Sequence, residues 1–458
     1  MKRWLLRLLV ATVGALSSYM GLSVVLFVLS LHRASLSHQA HAARPLPTLR
    51  AEDRILIIAP HPDDEVLGCG GLIATAAQQG IPVRVVYLTC GDGFAAAAAL
   101  VARKAPQPRE CLVLGQLRQQ EARHALQQLG LSPDAAVFLG YPDRGLLPML
   151  LAPGKAYRAP ATQAHAVPYA TALTPNAPYT PQALVADLRR VLAEFQPTRV
   201  FTTHPLDDHE DHMAAALLTR EAIAQALAAG ELRCAPALYY YLVHRGDWPL
   251  PQGYHPQHAL KPPVGLESPA WYTLPLDEPI RARKLRALQA HKSQYTLMTR
   301  FLSSFIRANE LFAPDPLRES LQPFNDNPVV HLQPRADLAY VAAEGGRAGV
   351  RVRVETHKPF RSPYQLEITL LTVDSAGNWN ATRWRYPNRR LWVRREEAVL
   401  KLWLPHRAIQ SAKRAYLMVS TKLYGAELDR TGFLQVSLHA AFAESDAQPR
   451  RSTPRYAP

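Results

Sequence analysis

Several signals of common protein classes are missing from this sequence. The 458 residues include only four cysteines, and these form neither a CxxC pair nor a regular spacing, which argues against a zinc ribbon and a disulfide scaffold. There is no GxSxG elbow and no P-loop, so neither a serine hydrolase nor a kinase is supported. No lysine- and arginine-rich run occurs, although the net charge is +15. We therefore expect no nucleic-acid partner and interpret the charge as attraction to an anionic surface or glycan.

A short apolar run that stops at a cluster of acids is the first informative feature. Ile55 to Ala59 is typical of a strand buried on both faces, and HPDDE follows at residues 61–65. Three carboxylates this close together repel one another unless a positive charge lies among them, and a divalent metal is the obvious candidate. The alternative is a polar turn in which Asp63 or Asp64 caps the next helix.

A second cluster favours the metal interpretation. THPLDDHEDH, at residues 203–212, also follows a short apolar segment. Two acid-and-imidazole clusters at two strand ends are hard to explain as turns.

Strand and helix patterns alternate between the two clusters and beyond them. The expected strands are Ile55 to Ala59, Val83 to Thr89, Ala136 to Gly140, Arg199 to Thr203 and Leu238 to Val243. The expected helices are Val66 to Gln79, Gln116 to Leu129, Pro181 to Phe195 and Glu210 to Ala229. This alternation predicts an α/β fold with a doubly wound, mostly parallel, Rossmann-like sheet. Ligands of such sheets bind at the carboxyl ends of the strands, where both clusters fall.

The two ends of the chain differ from this core. Leu8 to Leu31 contains no charged residue and follows Lys2, Arg3 and Arg7, which predicts an uncleaved transmembrane helix with the rest of the chain outside. The alternative is a signal peptide cleaved near residues 40–42, which would release a secreted protein. From residue 329 the hydrophobic period changes to two, as at Val350, Val352 and Val354, which predicts an all-β sandwich.

The paired motifs resemble the PIG-L/LmbE-like family of metal-dependent N-acetylglucosaminyl de-N-acetylases. The resemblance covers roughly residues 52–312, including KLRALQAHKSQ at 284–294. It implies that His61, Asp64 and His212 bind the metal, with zinc expected and ferrous iron as the alternative. A water activated by that metal would attack the acetamide.

The resemblance also implies roles for other residues. Asp63 matches the general base, and His209 matches the group that steadies the oxyanion, expected as an imidazolium. Asp211 is expected to orient an imidazole. Arg118 and Asp143 match contacts to the sugar hydroxyls, although a surface ion pair of Arg118 with Glu121 is an alternative.

Two stretches interrupt the core, Phe94 to Glu110 and Leu151 to Tyr179. They are either disordered insertions or loops that wall the crevice, with three tyrosines available to stack on a sugar. Those tyrosines are Tyr157, Tyr169 and Tyr179.

Together these features predict a membrane-anchored enzyme, with its catalytic domain periplasmic or extracellular, that hydrolyses the acetamide of an N-acetylated amino sugar in a glycan or glycoconjugate. The alternative is a non-catalytic cell-surface carbohydrate-binding protein on the same scaffold. The expected division is an anchor (1–33), a tether (34–52), a deacetylase-like domain (53–312), a linker (313–328), a β-sandwich (329–443) and a disordered tail (444–458).

Overall fold

The computed structural model describes most of the chain from residue 43 onward. The described residues are 43–263, 266, 271–314, 320–321, 333–346, 349–387 and 391–438, together with 14, 22 and 25.

A five-stranded parallel sheet forms the centre of the N-terminal two thirds. Its strands are β2 (Ile55–Ala59), β3 (Val83–Thr89), β4 (Ala136–Tyr141), β5 (Arg199–Thr203) and β6 (Ala237–Tyr241). The spatial order is β4-β3-β2-β5-β6, and every pair is parallel. All five residues of β2 are buried, as expected for a strand covered by helices on both faces. Because β2 and β5 are neighbours, the two motifs that follow them emerge side by side.

Eight helices are described around this sheet. They are α1 (Asp64–Gln78), α2 (Ala95–Ala102), α3 (Pro108–Gln128), α4 (Leu146–Leu151), α5 (Pro181–Phe195), α6 (Glu210–Ala228), α7 (Glu278–Ala290) and α8 (Lys292–Ser303). Capping residues fix where several of these helices begin. Thr180 accepts a hydrogen bond from the amide of Ala183, with Pro181 in the first turn, so α5 begins where the sequence predicts.

A small second sheet packs against α1 and is hydrogen-bonded to it. It consists of β1 (Arg44–Pro45), β7 (Tyr272–Pro275) and β8 (Asn309–Phe312), in the order β1-β7-β8. Glu310 of β8 accepts the amides of Gly71 and Leu72 at 2.6 and 2.8 Å and pairs with Lys284 at 2.6 Å. Both charged side chains are buried, so each compensates the other.

The C-terminal third forms two antiparallel sheets. Their strands are β9 (Ser320–Leu321), β10 (Leu338–Gly346), β11 (Gly349–Thr356), β12 (Tyr364–Val373), β13 (Trp379–Tyr386), β14 (Trp392–Glu396), β15 (Val399–Pro405), β16 (Arg414–Leu423), β17 (Ala426–Arg430) and β18 (Leu434–Gln435). One sheet has the order β14-β15-β11-β10-β9, and the other has β13-β12-β16-β17 with β18 also on β16. The alternating valines of β11 are buried in a core shared by both sheets.

The second of these sheets also packs on the α/β core. Five of its outward apolar side chains belong to the main core cluster, as does Phe433 just before β18; the five are Leu371, Val373, Trp379, Tyr416 and Met418. Arg414 of β16 donates twice to the buried Glu221 of α6, both at 2.6 Å. Apolar burial and a paired charge therefore join the C-terminal sheets to the helix that carries the second motif.

The predicted membrane anchor is wrong as a part of the fold. Among the described residues we find no helix with both the length and the apolar composition that a membrane span requires. The anchored localisation and the membrane partner that depended on this helix are therefore withdrawn. Apart from residues 14, 22 and 25, the stretch 8–31 lies outside the described residues, as do the expected tail and the larger part of the expected linker.

The two insertions contain regular structure and packed side chains. The first carries α2. In the second, Tyr169 donates to Asp92 at 2.5 Å and Tyr179 donates to the carbonyl of Gly140 at 3.3 Å. Both tyrosines are fully buried, so neither is available to stack on a sugar, while Tyr157 is half-buried.

Candidate active site

The first motif lies in the turn between β2 and α1. The amide of His61 donates to Asp64 Oδ2 at 2.9 Å, which closes the turn on itself. The glycines that follow let α1 approach its neighbours closely. A Cβ atom on Gly68 would lie 2.1 Å from Tyr241 Cδ2, so this position requires glycine.

The second motif lies in the turn between β5 and α6. The hydroxyl of Thr203 donates to the carbonyl of His212 at 2.9 Å. Asp207 accepts the amides of Val243 and His244 at 3.0 and 2.9 Å, which ties the turn to the end of β6. His209 caps α6 by accepting the amide of Asp211.

The three expected metal ligands converge on one point. His61 Nδ1 lies 3.1 Å from Asp64 Oδ2 and 3.3 Å from His212 Nε2, and the latter two atoms are 3.1 Å apart. Four ligands about 2.0–2.1 Å from a zinc ion, at the corners of a tetrahedron, lie about 3.3 Å from one another. The triangle therefore has the size of a tetrahedral metal site.

The charge around this triangle also fits a cation. Four buried carboxylates surround the two imidazoles: Asp64, Asp143, Asp207 and Asp211. Burial lowers the pKa of His212, but Asp207 and Asp64 outweigh it and raise the pKa to about 10. The pKa of His61 is likewise raised, because neighbouring carboxylates outweigh burial. The donor set thus favours positive charge at its centre, as a divalent metal would supply.

Asp63 lies beside the ligands in a strained backbone conformation. Its φ of 129° is in a region that L residues rarely adopt. Glu65 holds it there by accepting its amide at 2.9 Å, and Arg118 donates to the carbonyl of Pro62 at 2.5 Å. Burial raises the pKa of the Asp63 carboxyl to about 6, against the opposing effect of Arg118.

Arg118 and Asp143 lie in the site with contacts of their own. Arg118 is 3% exposed, and its Nη2 is 3.3 Å from Asp63 Oδ1, so the alternative of a surface ion pair with Glu121 is wrong. Asp143 Oδ1 lies 3.2 Å from His61 Nε2, and its other oxygen accepts the amide of Gly93. Both side chains line the cavity.

Asp211 contacts the imidazole of His61. Asp211 Oδ2 is 3.2 Å from His61 Nε2. The same carboxylate accepts the amides of Arg144 and Leu146 at 2.6 and 2.9 Å. Asp211 therefore joins the ring of His61 to the loop after β4.

The geometry of His209 favours a neutral ring, where an imidazolium was expected. Its Nδ1 accepts the amide of Asp211 at 3.2 Å, so the ring proton lies on Nε2. Burial lowers the pKa of His209 to about 2, and the positive charges of His61 and His212 act in the same direction. The side chain still lines the cavity, where Nε2 can donate a hydrogen bond.

Two histidines of the site have no part in the sequence-based prediction. His244 follows β6, lines the cavity and stacks on Phe301 at 5.5 Å. His291 pairs with Glu65 at 2.9 Å. Their sequence signals are weak: His244 is a lone histidine at a strand end, and His291 lies in the KLRALQAHKSQ stretch, for which no role in the site is predicted.

The cavity beside the triangle is lined by both polar and apolar side chains. Its volume is about 160 Å³. The apolar side chains are Leu67, Phe94, Met298, Phe301 and Leu302. The polar side chains can thus hold polar or charged groups while the apolar ones exclude water.

Comparison with known proteins establishes the family. The PIG-L family, described as GlcNAc-PI de-N-acetylase, matches residues 56–223. A protein of Rhodococcus erythropolis, named 1D-myo-inositol 2-acetamido-2-deoxy-alpha-D-glucopyranoside deacetylase, is 30% identical over 269 residues, covering 53% of this chain and 82% of that protein. The chain belongs to the PIG-L family. The resemblance inferred from the two motifs is confirmed.

Two further proteins are similar to this chain. A protein of the same name from Tsukamurella paurometabola is 29% identical over 271 residues, covering 53% of this chain and 82% of its own length. The solved structure of N,N'-diacetylchitobiose deacetylase from Pyrococcus horikoshii is 20% identical, with a TM-score of 0.38, and covers 58% of this chain and 84% of that one.

Proposed function

We propose that this PIG-L family chain is a metal-dependent hydrolase that removes the acetyl group from an N-acetylated amino sugar in a glycan or glycoconjugate. The observation that carries the proposal is the convergence of His61 Nδ1, Asp64 Oδ2 and His212 Nε2 within 3.1–3.3 Å, beside a cavity that also contains Asp63. The deacetylase names of the relatives support the reaction class.

Zinc is the metal that the donor set suits best. Two imidazole nitrogens and one carboxylate oxygen are a common catalytic zinc set, and they leave a fourth position open. Zinc bound there would act as a Lewis acid toward the acetamide carbonyl and would lower the pKa of a water molecule. Ferrous iron suits the same donors and remains the alternative.

The side chains of the chain supply the proton transfers. Asp63 accepts a proton from the attacking water, whose oxygen bonds to the carbonyl carbon. His209 donates its Nε2 proton as a hydrogen bond to the carbonyl oxygen while negative charge develops there. The C–N bond then breaks, and Asp63 returns the proton to the amine nitrogen. The products are acetate and a free amino sugar.

Arg118 and Asp143 have positioning roles in this scheme, and both also lie where a sugar can contact them. Arg118 holds the turn that contains Asp63, and Asp143 holds His61. Remaining donors and lone pairs on these side chains can bind sugar hydroxyls, because both line the cavity.

An acetate-release screen tests the proposal. The chain is loaded with zinc or ferrous iron and incubated with a panel of N-acetylhexosamine glycans and glycoconjugates. We expect acetate and a free amine from at least one member. If the chain holds one equivalent of metal and binds glycans but releases acetate from none, the non-catalytic binding protein replaces this proposal.

A further inference from the structure

The C-terminal sheets contact the second motif directly. Arg430, the last residue of β17, donates from Nη2 to the carbonyl of Asp208 at 2.8 Å and from Nη1 to Glu210 Oε1 at 2.9 Å. Asp208 and Glu210 flank His209 in the chain, and His212 follows within the same helical turn. One side chain of a C-terminal strand therefore clamps the start of α6.

The segment after Arg430 packs closely on the same turn. A Cβ atom on Gly432 would lie 2.0 Å from Leu206 Cδ2 and 2.8 Å from the carbonyl oxygen of Pro205. Phe433 is completely buried in the main core cluster. Residues 430–433 thus form a surface, here called the brace, that touches residues 205–210.

The ion pair of Arg430 with Glu210 and its hydrogen bond to the Asp208 carbonyl restrain different parts of the turn. The side chain of Glu210 is 49% exposed, so water weakens that ion pair. The carbonyl of Asp208 is part of the backbone, and the side chain of Asp208 is itself held by the amide of Gly246 at 2.7 Å. The bond to the carbonyl therefore restrains the main chain immediately before His209.

We propose that the C-terminal sheets position the second motif of the metal site, and that Arg430 is the positioning residue. This inference rests on the proposed function, because the ligand whose position is controlled is His212. It gives the β-sheets a role within the catalytic unit.

The chain offers two matched controls. Arg385 of β13 pairs with Glu367 at 2.7 Å within the same sheet, far from the turn in sequence. Arg414 joins the sheet to Glu221, which lies more than two turns beyond His212 in α6. Arg385→Ala removes a comparable ion pair, and Arg414→Ala weakens the attachment of the sheet without touching the brace.

The experiment compares Arg430→Ala, Arg430→Lys and Gly432→Ala with those controls in the full chain. Zinc affinity is measured by competition with a chromophoric chelator, and amide hydrogen exchange is measured over residues 204–213 in the metal-free protein. We expect Arg430→Ala to weaken zinc binding about tenfold and to accelerate exchange in this segment. Arg430→Lys should restore part of both, because its ammonium can still donate to one acceptor.

The control variants distinguish a local effect of the brace on residues 204–213 from a general loss of stability. Arg414→Ala should lower the melting temperature but leave zinc affinity and amide exchange at 204–213 unchanged. Arg385→Ala should leave zinc affinity and that exchange unchanged as well. Equal zinc losses in Arg430→Ala and Arg414→Ala, or wild-type behaviour of both Arg430→Ala and Gly432→Ala, would overturn the inference. If the wild type neither binds zinc nor releases acetate, the proposed function fails, and exchange at 204–213 still decides whether the brace exists.

Discussion

Replacement of His291 tests how the fold holds Asp63 in its strained conformation. His291 Nε2 pairs with Glu65 at 2.9 Å, and the other oxygen of Glu65 accepts the amide of Asp63. Both His291 and Glu65 are 0% exposed. Removing the imidazole therefore leaves a buried carboxylate without its partner and loosens the group that holds the backbone of Asp63.

The expected magnitude follows from this burial. Removal of one partner of a buried ion pair costs about 3–5 kcal/mol, so His291→Ala should lower the free energy of unfolding by about that amount. His291→Gln keeps an N–H donor for Glu65, and a hydrogen bond to a charged group contributes about 1.5–3 kcal/mol. We expect this variant to lose only about 1–2 kcal/mol. A base displaced by about 1 Å can cost about 100-fold in rate, so kcat should fall most in His291→Ala.

Urea unfolding and steady-state acetate release measure the two effects, with metal content determined for each variant. The zinc content of His291→Gln should match that of the wild type, because His291 contacts none of the three ligands. Equal losses of stability in the alanine and glutamine variants would show that the hydrogen bond to Glu65 contributes nothing. Wild-type kcat in His291→Ala would refute the link between this pair and Asp63.

Three further predictions concern the base, the pH dependence and the packing of α1. Asp63→Asn should retain metal, by elemental analysis, and lose about 100- to 10,000-fold in kcat, and a smaller loss would reject Asp63 as the base. Glu65 and Asp63 outweigh burial and raise the pKa of His291. The stability that His291 contributes should therefore be complete below about pH 6.5 and lost as the pH rises through its folded-state pKa. The difference in urea midpoint between wild type and His291→Gln should shrink over that rise, and a constant difference would contradict this. Gly68→Ala should cost about 1–3 kcal/mol, because its methyl group would lie 2.1 Å from Tyr241, whereas Gly154→Ala, with nothing within 4 Å, should be neutral.

The sequence predicts the site correctly where the reactive residues directly follow a predicted strand. An unbroken apolar run predicted β2, a short apolar segment predicted β5, and each motif followed a strand end. Parallel neighbours place their carboxyl ends at one edge, so the proximity of His61 and His212 followed from local patterns and one topological rule.

Residues that reach the site from distant parts of the chain carry no such sequence pattern. His244 comes close because β6 lies beside β5, and His291 comes from the junction of α7 and α8; neither belongs to an acid-and-imidazole cluster like the two motifs. Helix capping shows a similar limit. Asp208 is a favourable capping residue, but its carboxylate binds Arg245 and the amide of Gly246, which leaves the cap to His209.

Hydropathy alone overstated the case for an anchor. The uncharged run from Leu8 to Leu31 satisfies a length rule, but no helix among the described residues has the length and apolar composition of a membrane span. The tyrosines of the second insertion fail for a related reason. Aromatic residues in a loop suit both stacking and core packing, and Tyr169 was placed by its bond to Asp92, which sequence spacing does not predict.

Anomalous X-ray scattering at the zinc edge, from crystals of the zinc-loaded chain, tests the central claim most directly. The account predicts one strong peak about 2.0–2.2 Å from His61 Nδ1, Asp64 Oδ2 and His212 Nε2, and no such peak in His212→Ala. A peak bound elsewhere, or an unchanged peak in His212→Ala, would contradict it.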